Sequence, residues 1–341
     1  RLLLQAWQKG KALDPTQGWL QVEVKREGPR WALLGSSEFP GLARAAGALL
    51  EAAGFRPLEN RVRLLPDGAA GNPPYGVFRA ARALTWARPG EASGLSAADG
   101  PGQVEETELL FGDPLRVLDK QKGFLLVHAA SGYLGWVEEK AVLRCSEKRF
   151  LSLLAAPRAL FLKSYRRGDV EVPAGAALPF RGKKGDLVLL ETPRGGILPV
   201  PSRWVKLSDP SRGEAAAALA LSALGTPYLF GGRDREEGID CSGLVQACWA
   251  AQGVRLPRDA RMQVLCGRLV GWKGKWEALR PGDVLFFMNR WGRISHVALS
   301  LGGSRFVHAT PPEVTVGSLD PADPWYTSTA RRFVLAKRIR L

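Results

Sequence analysis

Two stretches constrain this chain most. Residues 225–243 read GTPYLFGGRDREEGIDCSG, and residues 294–309 read ISHVALSLGGSRFVHA. Cys241 follows a glycine-rich loop and opens an apolar, helix-like run, LVQACWAAQGV. A cysteine at a helix N-terminus meets the positive end of the helix dipole, which favours the thiolate. Such a nucleophile needs a base, and the chain holds three histidines: His128, His296 and His308. The last two lie downstream of Cys241, twelve residues apart, on a segment that reads as a β-hairpin.

Register decides whether these two can work together, because side chains alternate along a strand. A two-residue Gly302-Gly303 turn pairs His296 with Ala309 and sends His308 to the other face. An odd-length loop centred on Gly302, with glycine at positive φ, sets His296 directly opposite His308. The second arrangement is expected, since it builds Cys–His–His: a nucleophile, a base and a polar residue that orients the base. His128 lies far from this motif and is expected to be structural.

Four ordered motifs, GTPY-x-FGG…GIDCSG, LPRDA, RPGDVLFF and SHV…G…RFVHA, resemble the NlpC/p60 family of papain-like bacterial cell-wall cysteine peptidases over residues 214–341. The resemblance implies a papain-like α+β catalytic domain. Catalysis is expected to begin with Cys241 attacking an amide carbonyl after His296 takes the thiol proton. His296 then protonates the leaving amine. Backbone N–H groups at the start of the Cys241 helix, with Tyr228, are expected to hold the oxyanion. In the family, neighbours such as Asp240 and Ser242 help to bind substrate, although Asp and Ser in this position also cap helices. Arg258 and Asp259 fall where the family has a polar pair near the cleft. A surface ion pair is the plainer reading of those two. Ala260 follows, where some members carry a small polar group.

At 341 residues the chain has room for two or three domains with cores of their own. Its 45% apolar and 24% charged residues are those of a globular protein, and no run of eighteen apolar residues suggests a membrane span. The net charge of +15 attracts polyanions. The basic residues are scattered, without an aromatic–basic recognition motif, so nucleic acid is not expected. Anionic cell-wall polymers or lipid surfaces satisfy the same electrostatics, as does a plainly solvated surface. Cys145, Cys241, Cys248 and Cys266 show no zinc spacing. Cys241 and Cys248, two turns apart on one helix, stand about 10 Å apart, too far for a disulfide. Cys145, Cys248 and Cys266 read as core residues. No metal or organic cofactor is expected, and the chain is expected to act as a monomer. Residue 1 is Arg, and RLLLQAW is too short for a signal peptide. The expected location is the cell envelope or the exterior, with an export signal removed upstream, and the cytoplasm is the alternative.

Residues 1–72 read as an α/β unit: strands near 19–24, 31–34 and 61–65, with FPGLARAAGALLEAAGF as a helix. Turn-rich DGAAGNPP leads into short strands over residues 73–147, a first small barrel. Its run ETELLFGDPLRVLDKQKGFLLVHAASGYLGWV resembles a bacterial SH3-like domain. Setting Gly123 against Gly185 aligns GFLLVHAASGYLGWV with GDLVLLETPRGGILPV, given one inserted residue. Residues 148–210 are therefore expected to form a degenerate second barrel, and residues 211–341 the catalytic domain.

SH3-like barrels joined to such a domain are similar to the γ-D-glutamyl-L-diamino acid endopeptidases. That likeness implies cleavage of peptidoglycan stem peptides between D-γ-glutamate and the diamino acid, with the first barrel selecting a free N-terminal L-alanine. Tyr133 of GYLGWV is the barrel residue it points to, and Glu106 a second, since a buried ammonium needs a carboxylate. An amidase or acyltransferase using the same Cys–His–His site, and a non-catalytic wall-binding protein, are the alternatives.

Overall fold

The computed structural model describes residues 2–10, 18–90, 107–207 and 212–339. Glu106 lies outside them. Helix α1 (Leu2–Gly10) precedes an antiparallel pair, β1 (Leu20–Glu27) and β2 (Arg30–Ser37). Helix α2 (Pro40–Ala52) then crosses over to β3 (Leu58–Leu64), parallel to β2. Proline at the start of α2 loses no hydrogen bond there. Ala46 and Leu50, one turn apart, close over Leu33 and Leu4.

The first barrel holds β4 (Tyr75–Phe78), β5 (Arg82–Leu84), β6 (Glu108–Leu110), β7 (Pro114–Gln121), β8 (Phe124–Ala129), β9 (Leu134–Glu138) and β10 (Val142–Arg144). Five of these form a sheet in the order β10-β4-β7-β8-β9, and β5 pairs with β6. Alternating residues such as Leu115 and Val117, Leu125 and Val127, fill its core. Helix α3 (Glu147–Ala155), capped by Ser146, leads to the second barrel. That barrel comprises β11 (Arg158–Phe161), β12 (Tyr165–Arg167), β13 (Val170–Val172), β14 (Ala177–Lys184), β15 (Leu187–Glu191), β16 (Ile197–Pro201) and β17 (Val205–Leu207). The internal repeat is visible in the backbone. Phe124 pairs with Glu138 and Leu187 with Pro201, and a three-residue 3-10 turn follows each hairpin. Leu110 and Phe111 of the first barrel complete the core of the second.

The catalytic domain opens with α4 (Gly213–Leu221), followed by the short pair β18 (Arg233–Asp234) and β19 (Gly238–Ile239), α5 (Cys241–Ala250) and α6 (Ala260–Gln263). Its sheet takes the order β20-β25-β21-β22-β23-β24. The strands are β20 (Arg268–Trp272), β21 (Val284–Met288), β22 (Ile294–Gly302), β23 (Arg305–Thr310), β24 (Glu313–Ser318) and β25 (Phe333–Arg338). Leu244, Val245 and Cys248 of α5 pack on Phe286, Val297 and Val307 of that sheet.

Candidate active site

The loop before α5 is shaped by close backbone approaches. A Cβ on Gly243 would come 2.6 Å from the Gly232 carbonyl oxygen, and one on Gly232 would come 2.5 Å from that of Gly238. Glycine alone fits there. Asp240 then caps α5: its Oδ1 accepts from the Gly243 N–H at 2.6 Å and its Oδ2 from the Gly231 N–H at 2.9 Å. One carboxylate so ties the loop to the helix that begins with Cys241.

Arg258 holds that carboxylate. Its Nη1 and Nη2 donate to Asp240 Oδ1 and Oδ2 at 2.9 and 2.7 Å, and Nη1 also donates to Ser242 Oγ at 2.8 Å. Its Nε donates to Thr107 Oγ1 of the first barrel at 2.8 Å. Arg258 is 1% exposed. Burial works against its charge, but Asp240 outweighs burial and keeps it firmly protonated. The sequence pairs Arg258 with Asp259 as a surface or cleft ion pair, and the structure corrects this. Arg258 is buried with Asp240, while Asp259 pairs with Arg261 at 2.8 Å.

Cys241 is buried, and its thiol is pushed up to about 12. Burial is the main cause, followed by the nearby Asp240 charge. The Val297 and Ser242 N–H groups and Arg258 act in the opposite direction. Desolvation thus works against the thiolate that the helix dipole favours. Among the described residues no hydrogen bond joins the sulfur to His296. It sits instead where the N–H of the next residue, Val297, acts on it.

His296 Nε2 lies 2.8 Å from His308 Nδ1, with the rings nearly perpendicular. The two share a face, as expected, but not by the expected register. The turn has two residues, Gly303 and Ser304, between paired Gly302 and Arg305. Between Gly302 and Ser300 the register shifts at a bulge that takes up Leu301, so that Ser300 pairs with Phe306 and Leu299 with Val307. Without that extra residue His296 would face away from His308. With it, His308 stands diagonally across from His296 rather than directly opposite. Burial is the first cause holding both rings down, His308 at about 4 and His296 well below the usual histidine range. The neighbouring Arg332 charge acts in the same direction on both. His308 Nε2 is buried and has no hydrogen-bond partner among the described residues.

The other expected contacts divide. Asp240 and Ser242 are buried, and their polar atoms are committed to Arg258 and the helix start, which makes them positioning groups rather than open substrate contacts. Tyr228 is half-buried, its N–H donating to the Pro312 carbonyl at 2.8 Å. Tyr133 is buried and close enough to Arg258 to act on its charge, so the GYLGWV motif comes near the arginine that holds Asp240. Glu108, two residues after Glu106, accepts from the Arg233 and Asp234 N–H groups at 2.7 and 3.1 Å. Sequence reasoning missed Thr107, Glu108 and Arg332. Only the apolar run of Leu109, Leu110 and Phe111 beside them hints that Thr107 and Glu108 are buried.

Residues 225–332 match the family model described as NlpC/P60, and residues 99–142 match the bacterial dipeptidyl-peptidase SH3 domain. The chain is 28% identical over 225 residues to a gamma-D-glutamyl-L-lysine dipeptidyl-peptidase of Bacillus subtilis (strain 168), spanning 60% of this chain and 72% of that protein. It is 29% identical over 252 residues to dipeptidyl-peptidase 6 of Lysinibacillus sphaericus, spanning 64% and 86%. A crystal structure of an NlpC/P60 family protein from Bacillus cereus ATCC 10987 superposes with a TM-score of 0.61 at 20% identity. It covers 77% of this chain and 99% of that one, a likeness of fold.

Proposed function

We propose that this chain, a cysteine peptidase with an NlpC/P60 domain behind a bacterial SH3 domain, cleaves peptidoglycan stem peptides between D-γ-glutamate and the diamino acid. The preferred substrate begins with a free L-alanine. The observation that carries this reading is the docking of the first barrel on the nucleophile loop. Thr107 accepts from the same Arg258 that holds Asp240, and Glu108 accepts from the loop's own N–H groups. A barrel placed there closes one end of the cleft, which favours free stem peptides over cross-linked wall. The name of the Bacillus subtilis relative supports the same bond.

In this mechanism the resting pair is a neutral thiol and a neutral imidazole. His296 takes the thiol proton on the ring nitrogen not engaged by His308, as sulfur attacks the amide carbonyl. His296 Nε2–H then donates to His308 Nδ1, which puts the proton of neutral His308 on its partnerless Nε2. Asp240 takes the Gly243 N–H and the Ser242 N–H acts on the sulfur, which leaves that of Cys241 for the oxyanion. His296 passes its proton to the leaving amine, and water releases the acyl group.

Mass spectrometry tests the proposal with L-Ala-γ-D-Glu-diaminopimelate, the same peptide acetylated at its N-terminus, and a Cys241→Ala control. Release of diaminopimelate from the free-amine peptide alone, and only by the parent, is the expected result. Equal cleavage of both peptides would remove the amine recognition. No cleavage of either would sink the proposed bond.

A further inference from the structure

A cavity of about 620 Å³ opens where both barrels meet the catalytic domain, away from Cys241. Its volume lies within the range of small-ligand sites, and such sites favour domain junctions. Four arginines line it, Arg158, Arg212, Arg233 and Arg255, against a single acidic residue, Asp113. Asp113 is already committed. Its Oδ2 accepts from Arg233 Nη1 at 2.5 Å and from the Leu110 N–H at 3.0 Å.

The other three cations have no such partner. Arg158 donates to the carbonyls of Leu153 at 3.3 Å, Gly112 at 3.0 Å and Ala177. Arg255 donates to the Leu154 carbonyl. Among the described residues no carboxylate stands within ion-pair distance of Arg158, Arg212 or Arg255. Burial pushes the Arg158 guanidinium down to about 10. Asp113 opposes the shift, and the like charges of Arg255 and Arg233 add to it. Cations gathered in a partly enclosed space repel one another unless an anion joins them. Between them the walls are apolar: Leu154, Pro157, Leu160, Ala250 and Leu256.

We infer that this junction binds a small organic anion carrying two or more carboxylates on a short carbon skeleton, the size of an acidic amino acid or dipeptide. Each planar guanidinium fork matches a carboxylate, and the apolar walls take the carbon chain. Those walls favour an organic anion over inorganic phosphate. Ala250 ends α5 and Cys241 begins it, so the ligand sits at the far end of the nucleophile helix. Bound there, it ties three units together and stabilises the docked arrangement.

The test uses the full chain, with glutarate and inorganic phosphate as probes at equal ionic strength, read by calorimetric titration and thermal unfolding. Glutarate is expected to bind once and to raise the unfolding midpoint, equally for the parent and for Cys241→Ala. Arg255→Glu, which reverses a cavity charge, and Ala250→Leu, which fills space without changing charge, should each weaken glutarate about tenfold or more. Their midpoints without ligand should stay near that of the parent. Phosphate binding as tightly as glutarate would overturn the organic-anion assignment. Unchanged glutarate binding in both variants, or none by the parent at about 10 mM, would overturn the site itself.

Discussion

Two buried imidazoles set the pH behaviour of the site. Both are held below the ordinary histidine value of about 6.5, so the unfolded chain binds their protons first. Their contribution to stability is therefore complete above pH 6.5 or so and is lost as pH falls toward about 4. For His308 the loss amounts to roughly 3 kcal/mol once pH is well below 4. Denaturation measured against pH should show this fall, and a His308→Gln variant should show less of it. The acid limb of kcat/KM should likewise lie below the usual histidine range. Arg332→Ala, which removes a repelling cation, should move that limb upward in pH. Arg258→Ala leaves the Asp240 charge buried without its cation, at a cost of about 3–5 kcal/mol. Chemical denaturation measures that cost. Cys241 and its two histidines were legible because glycines, a capping Asp and a scarcity of histidines surround them. Arg258 was not, since its partner Asp240 lies 18 positions away and only the fold brings them together.

At the scale of elements, the β22–β23 hairpin depends on one residue. Deleting Leu301 removes the bulge and should turn His296 away from His308 while the sheet still forms. Peptide hydrolysis should disappear, with far-ultraviolet circular dichroism close to that of the parent. The sequence shows two strands and a glycine turn here, but bulges carry little signature, which is why the expected register was two residues off. The repeated barrel hairpins were easier to read, because apolar alternation and turn glycines recur at matching positions. A second prediction belongs to the contact between the second barrel and the catalytic domain. Gly175 has φ +92°, and a Cβ there would come 2.3 Å from the Arg233 carbonyl oxygen. Gly175→Ala should therefore destabilise this junction by roughly 1–3 kcal/mol, seen as a lower unfolding midpoint.

Across the whole molecule, the units are bolted to their neighbours by buried or half-buried polar contacts. Trp19 of the N-terminal unit meets Trp136 of the first barrel edge-on at 6.2 Å, and Arg63 reaches Asp119 at 2.6 Å. Glu108 and Asp113 fasten that barrel to Arg233. Calorimetry should therefore show the first barrel and the catalytic domain unfolding in one transition. Glu108→Ala, which strands the Arg233 and Asp234 N–H groups, should split or broaden it. The order of these parts along the chain has a further consequence. As the polypeptide leaves the ribosome, the barrel carrying Thr107 and Glu108 is made before the loop that docks on it, and so waits as a template. Cys241 follows, but His296 and His308 emerge only 55 and 67 residues later. A nascent chain thus carries a sulfur with no base beside it, and cannot cut anything in its surroundings until the β22–β23 hairpin has been made.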